Sequence, residues 1–201
     1  MDELLTAAQC EYEEQSFEGL SLQGEEIRFK EFYGCRFSRC SFLETAFGRC
    51  RFVDCEFVDC DLSLCRVKAC TFTNTVFRNS KVVGVNWTEA SWPKRGLLRG
   101  IDFDDCAISH STFLGLSLRE INIKDCAAHN ADFAEADLSR ATCTGTDFAD
   151  SRFLHTDLTE ADLIGARNYT ISPTVNVLKK TRFSLPEAIS LLSGLDIVLS
   201  E

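Results

Sequence analysis

From Tyr12 to Trp92 every fifth residue is large and apolar. The centres between them are Phe17, Leu22, Ile27, Phe32, Phe37, Phe42, Phe47, Phe52, Phe57, Leu62, Val67, Phe72, Phe77, Val82 and Trp87. Two residues ahead of most centres stands a small residue, here usually cysteine, as in CRFVDCEFVDCDLSLC (Cys50 to Cys65). A beat of five fits neither the 3.6-residue helical repeat nor the two-residue alternation of a strand. It is satisfied by a chain that turns a corner once per five residues, four times per circuit. Circuits of about twenty residues then stack as parallel strands at roughly 4.8 Å, and the pattern predicts an all-β solenoid. The centre and the small residue face inward; the other three face water.

After a one-residue slip near Pro93 the beat resumes at Leu98, Phe103, Ile108, Phe113, Leu118, Ile123 and Ala128. It runs on through Phe133, Leu138, Cys143, Phe148, Phe153 and Leu158 to Leu163. If one residue is inserted, the aromatic column Tyr12, Phe32, Phe52, Phe72, Trp92 continues as Phe113, Phe133, Phe153. A second column then reads Phe17, Phe37, Phe57, Phe77, Leu98, Leu118, Leu138, Leu158. On this reading the solenoid passes residue 93 without losing a face, with a bulge or kink at Trp92-Pro93. A β-sandwich would instead show alternation and turn signals every roughly 8–12 residues, and neither is visible.

The beat stops at Ala166. Two units follow: a solenoid over 1–166, broken near 93–98, and a cap and dimerisation segment over 167–201. Pro173 is expected to open a short helical turn through Leu178. Ser184-Leu-Pro-Glu187 reads as a capping box and Gly194 as a stop, which predicts a helix over 185–193 and an extended Leu195–Leu199. This end shows more apolar surface than one cap needs. A two-fold dimer is the economical explanation, with Ile189, Leu192, Leu195, Ile197 and Leu199 at its interface.

Composition adds three constraints. The N-terminal stretch is acidic and lacks a basic region followed by an apolar core, so no signal peptide is expected. No run approaches the eighteen or so apolar residues of a membrane span, and the expected location is the cytoplasm. Ten of the 11 cysteines (Cys10, Cys35, Cys40, Cys50, Cys55, Cys60, Cys65, Cys70, Cys106, Cys126) hold the small inward position and Cys143 a large one. They read as structural thiols rather than metal ligands or disulfides. No GxxxxGK[ST], GxSxG or HExxH motif occurs, and His110, His129 and His155 fall at separate outward positions. The chain reads as a non-enzyme without cofactor or metal.

Charge is uneven. Residues 1–27 hold eight acids and no base, whereas 28–81 hold ten bases against six acids. Residues 102–162 hold thirteen acids against four bases. Asp102, Asp132, Asp137, Asp147, Asp157 and Asp162 all take the outward position just before a centre. With Asp104, Asp105, Glu135 and Glu160 they form the pool from which an acidic interaction surface is expected. The middle is too weakly basic for direct nucleic-acid binding.

The segments ADFAEADLSRA (Ala131 to Ala141) and TDLTEADLIGA (Thr156 to Ala166) resemble pentapeptide repeats, a family of right-handed quadrilateral β-helices. The junction VGVNWTEASWP (Val83 to Pro93) and the tail RFSLPEAISLLSGLDIVLSE (Arg182 to Glu201) resemble the gyrase-protecting, Qnr-like subgroup, and most of all its albicidin-resistance branch. That resemblance implies a homodimeric rod that mimics B-DNA, engages DNA gyrase with topoisomerase IV left open as a second target, and counters topoisomerase poisons. The long loops of several Qnr proteins have no counterpart in this sequence. Residues 102–162 fill about three circuits, or ~15 Å, so two such blocks in a dimer would carry eighteen negative charges over ~30 Å. B-DNA carries about the same number over that length. The alternative is a generic scaffold or regulator that binds another protein through the flat faces of the rod.

Overall fold

The computed structural model describes residues 9–92, 100–195 and 197. The chain winds as a parallel β-solenoid of about eight turns with one short helix near the C-terminus. On face 1 the strands Glu11–Glu13, Glu31–Tyr33, Arg51–Val53 and Thr71–Thr73 pair in that order. Face 2 carries Ser16–Glu18, Arg36–Ser38, Glu56–Val58, Thr75–Arg78, Ile101–Asp104 and Ile123–Lys124. Face 3 is built from single bridges such as Ser21 to Ser41, Ser41 to Asp61 and Asp61 to Lys81. On face 4, Glu26–Arg28 pairs with Ala46–Gly48, and bridges continue the column.

Every pairing before the break joins residues one circuit apart, as Phe17, Phe37, Phe57 and Phe77 show. Rings in one column stack, with Phe37 and Phe57 centroids 4.7 Å apart. Rings on adjacent faces meet edge to face, as Phe32 and Phe37 do at 5.3 Å. Both arrangements suit the aromatic quadrupole, so phenylalanine can fill a square tube. The small inward residue does a second job. Its side chain lies against a carbonyl of the preceding coil: Cys55 Sγ against Phe32 O at 3.3 Å, and Thr156 Oγ1 against Phe133 O at 2.9 Å. Cysteine, serine and threonine are therefore interchangeable there. Cys10 departs from the expectation and is exposed.

The corner residue, two after most centres, adopts φ near +55° even where it is not glycine, as at Arg39, Asp59 and Asp105. An isolated residue in that conformation costs roughly 1–2 kcal/mol. The ladder offsets it by using the corner N–H, as in Asp105 N to Lys124 O at 2.9 Å.

The break differs from the expectation. Phe77 pairs with Phe103, and Lys81 bridges Ala107. Both offsets exceed a circuit by six residues, not one. The column of Phe77 therefore continues through Phe103 and Ile123, not through Leu98 and Leu118. Phe113 stacks on Trp87, at 6.3 Å and 14°, and not on Trp92. Trp92 is half-buried over Phe72. The register across the break is thus one circuit, one pentad and one residue. Pro93 and Leu98, with any bulge there, lie outside the described residues.

The C-terminal expectation also shifts. Parallel pairing continues past 166, with Asp157 bridging Val177 and Asp162–Leu163 pairing Arg182–Phe183. Residue 166 thus ends the five-residue beat and not the ladder. Residues 173–178 form turns and a bridge in place of a helical turn. The helix is of 3-10 type, Glu187–Leu195, and it includes Gly194. Ser184 and Glu187 do not cap it reciprocally. Instead Ser184 Oγ accepts from Gly165 N at 3.0 Å and Glu187 Oε1 from Asn168 N at 2.6 Å. The two side chains tie the cap to the last coils, whose N–H groups would otherwise be open.

Candidate interaction surface

Aspartate just ahead of a centre has a local task. Asp132, Asp137, Asp147, Asp157 and Asp162 each accept, through Oδ1, the backbone N–H two residues on, at 2.8 to 3.1 Å. This is an Asx turn, which shapes the entry to each corner. Their second oxygens largely meet arginine from an adjoining coil: Asp132 with Arg152, Asp147 with Arg167, Asp162 with Arg182, and Asp137 with Arg119. Asp147 is the most enclosed of these four, its side chain 13% exposed. Burial raises its pKa, but hydrogen bonds from Asn168 and Ala149 N and the charges of Arg167 and His129 outweigh that and hold it below the usual carboxylate value. Glu160 is paired as well, held low by Arg140 and Lys180.

The register also disperses the acids. Asp137, Asp157 and Glu160 lie on face 1 or its corner, Asp132 and Glu135 on face 4, and Asp147 on face 3. Only face 2 gathers them: Asp102 and Asp104 stand there, with Asp105 at its corner, and Asp162 lies further along. Asp104 is paired with Arg78 at 2.5 Å. Asp102 accepts from Asn122 N at 2.7 Å and Asn122 Nδ2 at 3.0 Å. Asp105 has no ion pair among the described residues. Neither has Asp125, which takes the corresponding corner one coil later and which the sequence reading did not single out. Its signal was present: it stands twenty residues after Asp105, at the same pentad position. After the break face 2 and its corner carry five acids (Asp102, Asp104, Asp105, Asp125, Asp162) against Lys124 and Arg182, the most acidic of the four.

The cap exposes apolar side chains. Leu185, Ile189, Leu195 and Ile197 are well exposed and Leu192 is half-buried, while Leu199 lies outside the described residues. The cysteines behave as core. Burial pushes the thiols of Cys55 and Cys143 up to about 12, which keeps them protonated and unreactive. Among the described residues no group of three His, Cys, Asp or Glu is placed to hold a metal, and no helix is long and apolar enough to cross a membrane.

Family models described as a pentapeptide repeat region and as pentapeptide repeats in eight copies match residues 30–100 and 136–167. This is a pentapeptide-repeat protein. Among solved structures it is similar to QnrB1, a plasmid-mediated fluoroquinolone resistance protein. One trypsin-treated variant of QnrB1 superposes with a TM-score of 0.71 at 17% identity, covering 95% of this chain and 100% of that one. Another gives 0.66 at 18% identity, covering 95% and 92%. Full-length QnrB1 gives 0.64 at 19% identity, covering 90% and 100%. At these identities the likeness is one of fold. A search of curated proteins finds no match.

Proposed function

We propose that this pentapeptide-repeat protein is a non-enzymatic DNA mimic that binds DNA gyrase and protects it from topoisomerase poisons. The observation that carries the reading is the acidic run on face 2. Asp102, Asp104, Asp105 and Asp125 occupy two adjoining coils, and the corner pair Asp105 and Asp125 makes no ion pair among the described residues. Stacked coils repeat at about 4.8 Å and phosphates along one DNA strand at about 3.4 Å of axis, so a ladder with more than one acid per coil approaches duplex charge density. Of the pool of ten acids, Asp102, Asp104, Asp105 and Asp162 lie on face 2 or its corner, and the surface is drawn from these with Asp125. The fold shared with QnrB1 and the tail's resemblance to the albicidin-resistance branch agree with this role. A two-fold dimer through Ile189, Leu195 and Ile197 would bring two acidic stretches into one assembly. Topoisomerase IV, a second type II enzyme, would meet the same surface, and a soluble cytoplasmic protein would meet both.

The test is supercoiling by purified gyrase with a poison, with and without the protein, over a salt series. Wild type should restore supercoiling, and protection should weaken as salt rises. D105N/D125N should lose most of it, while D54N/D150N, an equal charge change at corners of other faces, should keep it. Asparagine suits these corners because it tolerates positive φ. Equal protection by the two variants would refute a localised mimic and favour a scaffold role.

A further inference from the structure

The basic middle of the rod holds a groove that the acidic surface does not use. On face 4, Ala46 and Gly48 stand in register between Glu26 and Arg28 on one coil and Arg66 and Lys68 on the next. Small residues between long ones open a groove of about 750 Å³. Arg28 leans over Gly48, where an added Cβ would meet Arg28 Cγ at 3.3 Å.

Two features of the groove suit a ligand. The first is charge. Ten of the described arginines hold a carboxylate: Arg28 through Glu26, and the others along the ladder. Arg49 and Arg66 do not, and both line this groove, as does Lys68, which has no ion pair among the described residues either. The second is Phe29. It is 53% exposed and takes a corner at φ 56°, a conformation unfavourable for a bulky side chain. The guanidinium of Arg49 lies 5.5 Å from its ring centroid. An exposed aromatic beside cations that hold no carboxylate is an arrangement that a ligand would use.

We infer that this groove binds a short acidic segment of a partner protein. Arg28 and Arg66 are two coils apart, about 10 Å, and an extended peptide covers that distance in three residues. Two or three carboxylates therefore fit the cationic floor, with forked Arg–carboxylate contacts at Arg49 and Arg66 and an apolar flank on Phe29. Glu26 and Glu89 close the two ends. They repel a polyanion that runs on beyond the groove, so a phosphodiester chain is disfavoured and a brief acidic stretch with neutral flanks is selected. The site is distinct from face 2 and does not depend on the gyrase reading.

The test uses the full-length protein and the fluorescein-labelled hexapeptide Gly-Ser-Asp-Glu-Glu-Asp, followed by anisotropy at low salt. Saturable binding is expected, with none for Gly-Ser-Asn-Gln-Gln-Asn. R49Q/R66Q/K68Q should weaken it about tenfold with an unchanged circular dichroism melt. K81Q/K124Q/K179Q, an equal charge change off the groove, should stay within about twofold. Absence of saturable binding by wild type, or equal losses in the two triple variants, would overturn the proposal. Tighter binding of labelled hexathymidylate than of the peptide would overturn it in favour of a phosphate site.

Discussion

Phe133 is fully buried between the rings of Phe113 and Phe153, with centroids 4.9 and 5.4 Å away. Such a residue was legible in the sequence, because only an inward position would repeat as large and apolar every fifth residue. F133A should cost about 3–5 kcal/mol in urea unfolding, and F133D, which buries an unpaired charge, should give no soluble folded protein. The aspartates ahead of the centres were less legible. Their spacing showed that they face outward, but not that they close Asx turns, since that depends on a backbone N–H two residues on. Asp147 makes the difference measurable. Its pKa is lowered in the folded state, so it contributes stability above its unfolded value, and that contribution disappears as pH falls through the folded value. D147A should be about 1–3 kcal/mol less stable than wild type at pH 7, and the gap should narrow below pH 4. A gap of constant size down to pH 2 would show that its charge is not what stabilises. For the same reason D132K, D147K or D157K would be a poor probe of partner binding, as each removes a turn contact with the charge.

At the scale of the element, the break shows where a five-residue pattern stops being informative. An excess of one residue and an excess of six leave the beat in the same phase, because they differ by one whole pentad. The sequence could therefore locate the slip but not count the faces, and it placed Phe113 above Trp92 when it stands above Trp87. The structure counts them through Phe77 and Phe103. A deletion follows from that count. Removing residues 94–99 returns the spacing of Phe77 and Phe103 to one circuit, so the ladder should close. The shortened protein should fold, and its thermal midpoint should stay within a few degrees of wild type. Removing residue 94 alone leaves a spacing of 25, an entire spare pentad. It should be no better tolerated than the six-residue deletion. Aggregation of the six-residue deletion alone would show that these residues support the rod.

At the scale of the whole molecule, the C-terminal end of the rod is only partly covered. A solenoid's last coil leaves a sheet edge and apolar centres open unless something covers them. Here the cap covers part of that end: Phe183 pairs in the ladder and packs on Tyr169, and Leu191 lies against the core. Yet Leu185 is 79% and Ile197 51% exposed, with Ile189 at 49%. Apolar side chains grouped at one end of the rod mark an association surface, and a closed two-fold pairing hides it on both copies at once. The tail's apolar excess was legible in the sequence. Its geometry was not, because a cap held by Ser184 and Glu187 on distant coil N–H groups has no local signature. Truncation at residue 183 would remove those ties together with the apolar surface and confuse the two roles. L185E/I189E/I197E keeps Ser184 and Glu187 and alters side chains that the single chain leaves exposed. Wild type should sediment at twice the chain mass and the triple variant at the chain mass, with the same cooperative melt per chain at high concentration. If the variant still sediments as a dimer, the interface lies on another face. If wild type is itself a monomer at micromolar concentration, two acidic stretches are never brought into one assembly, and any protection of gyrase would have to come from one rod alone.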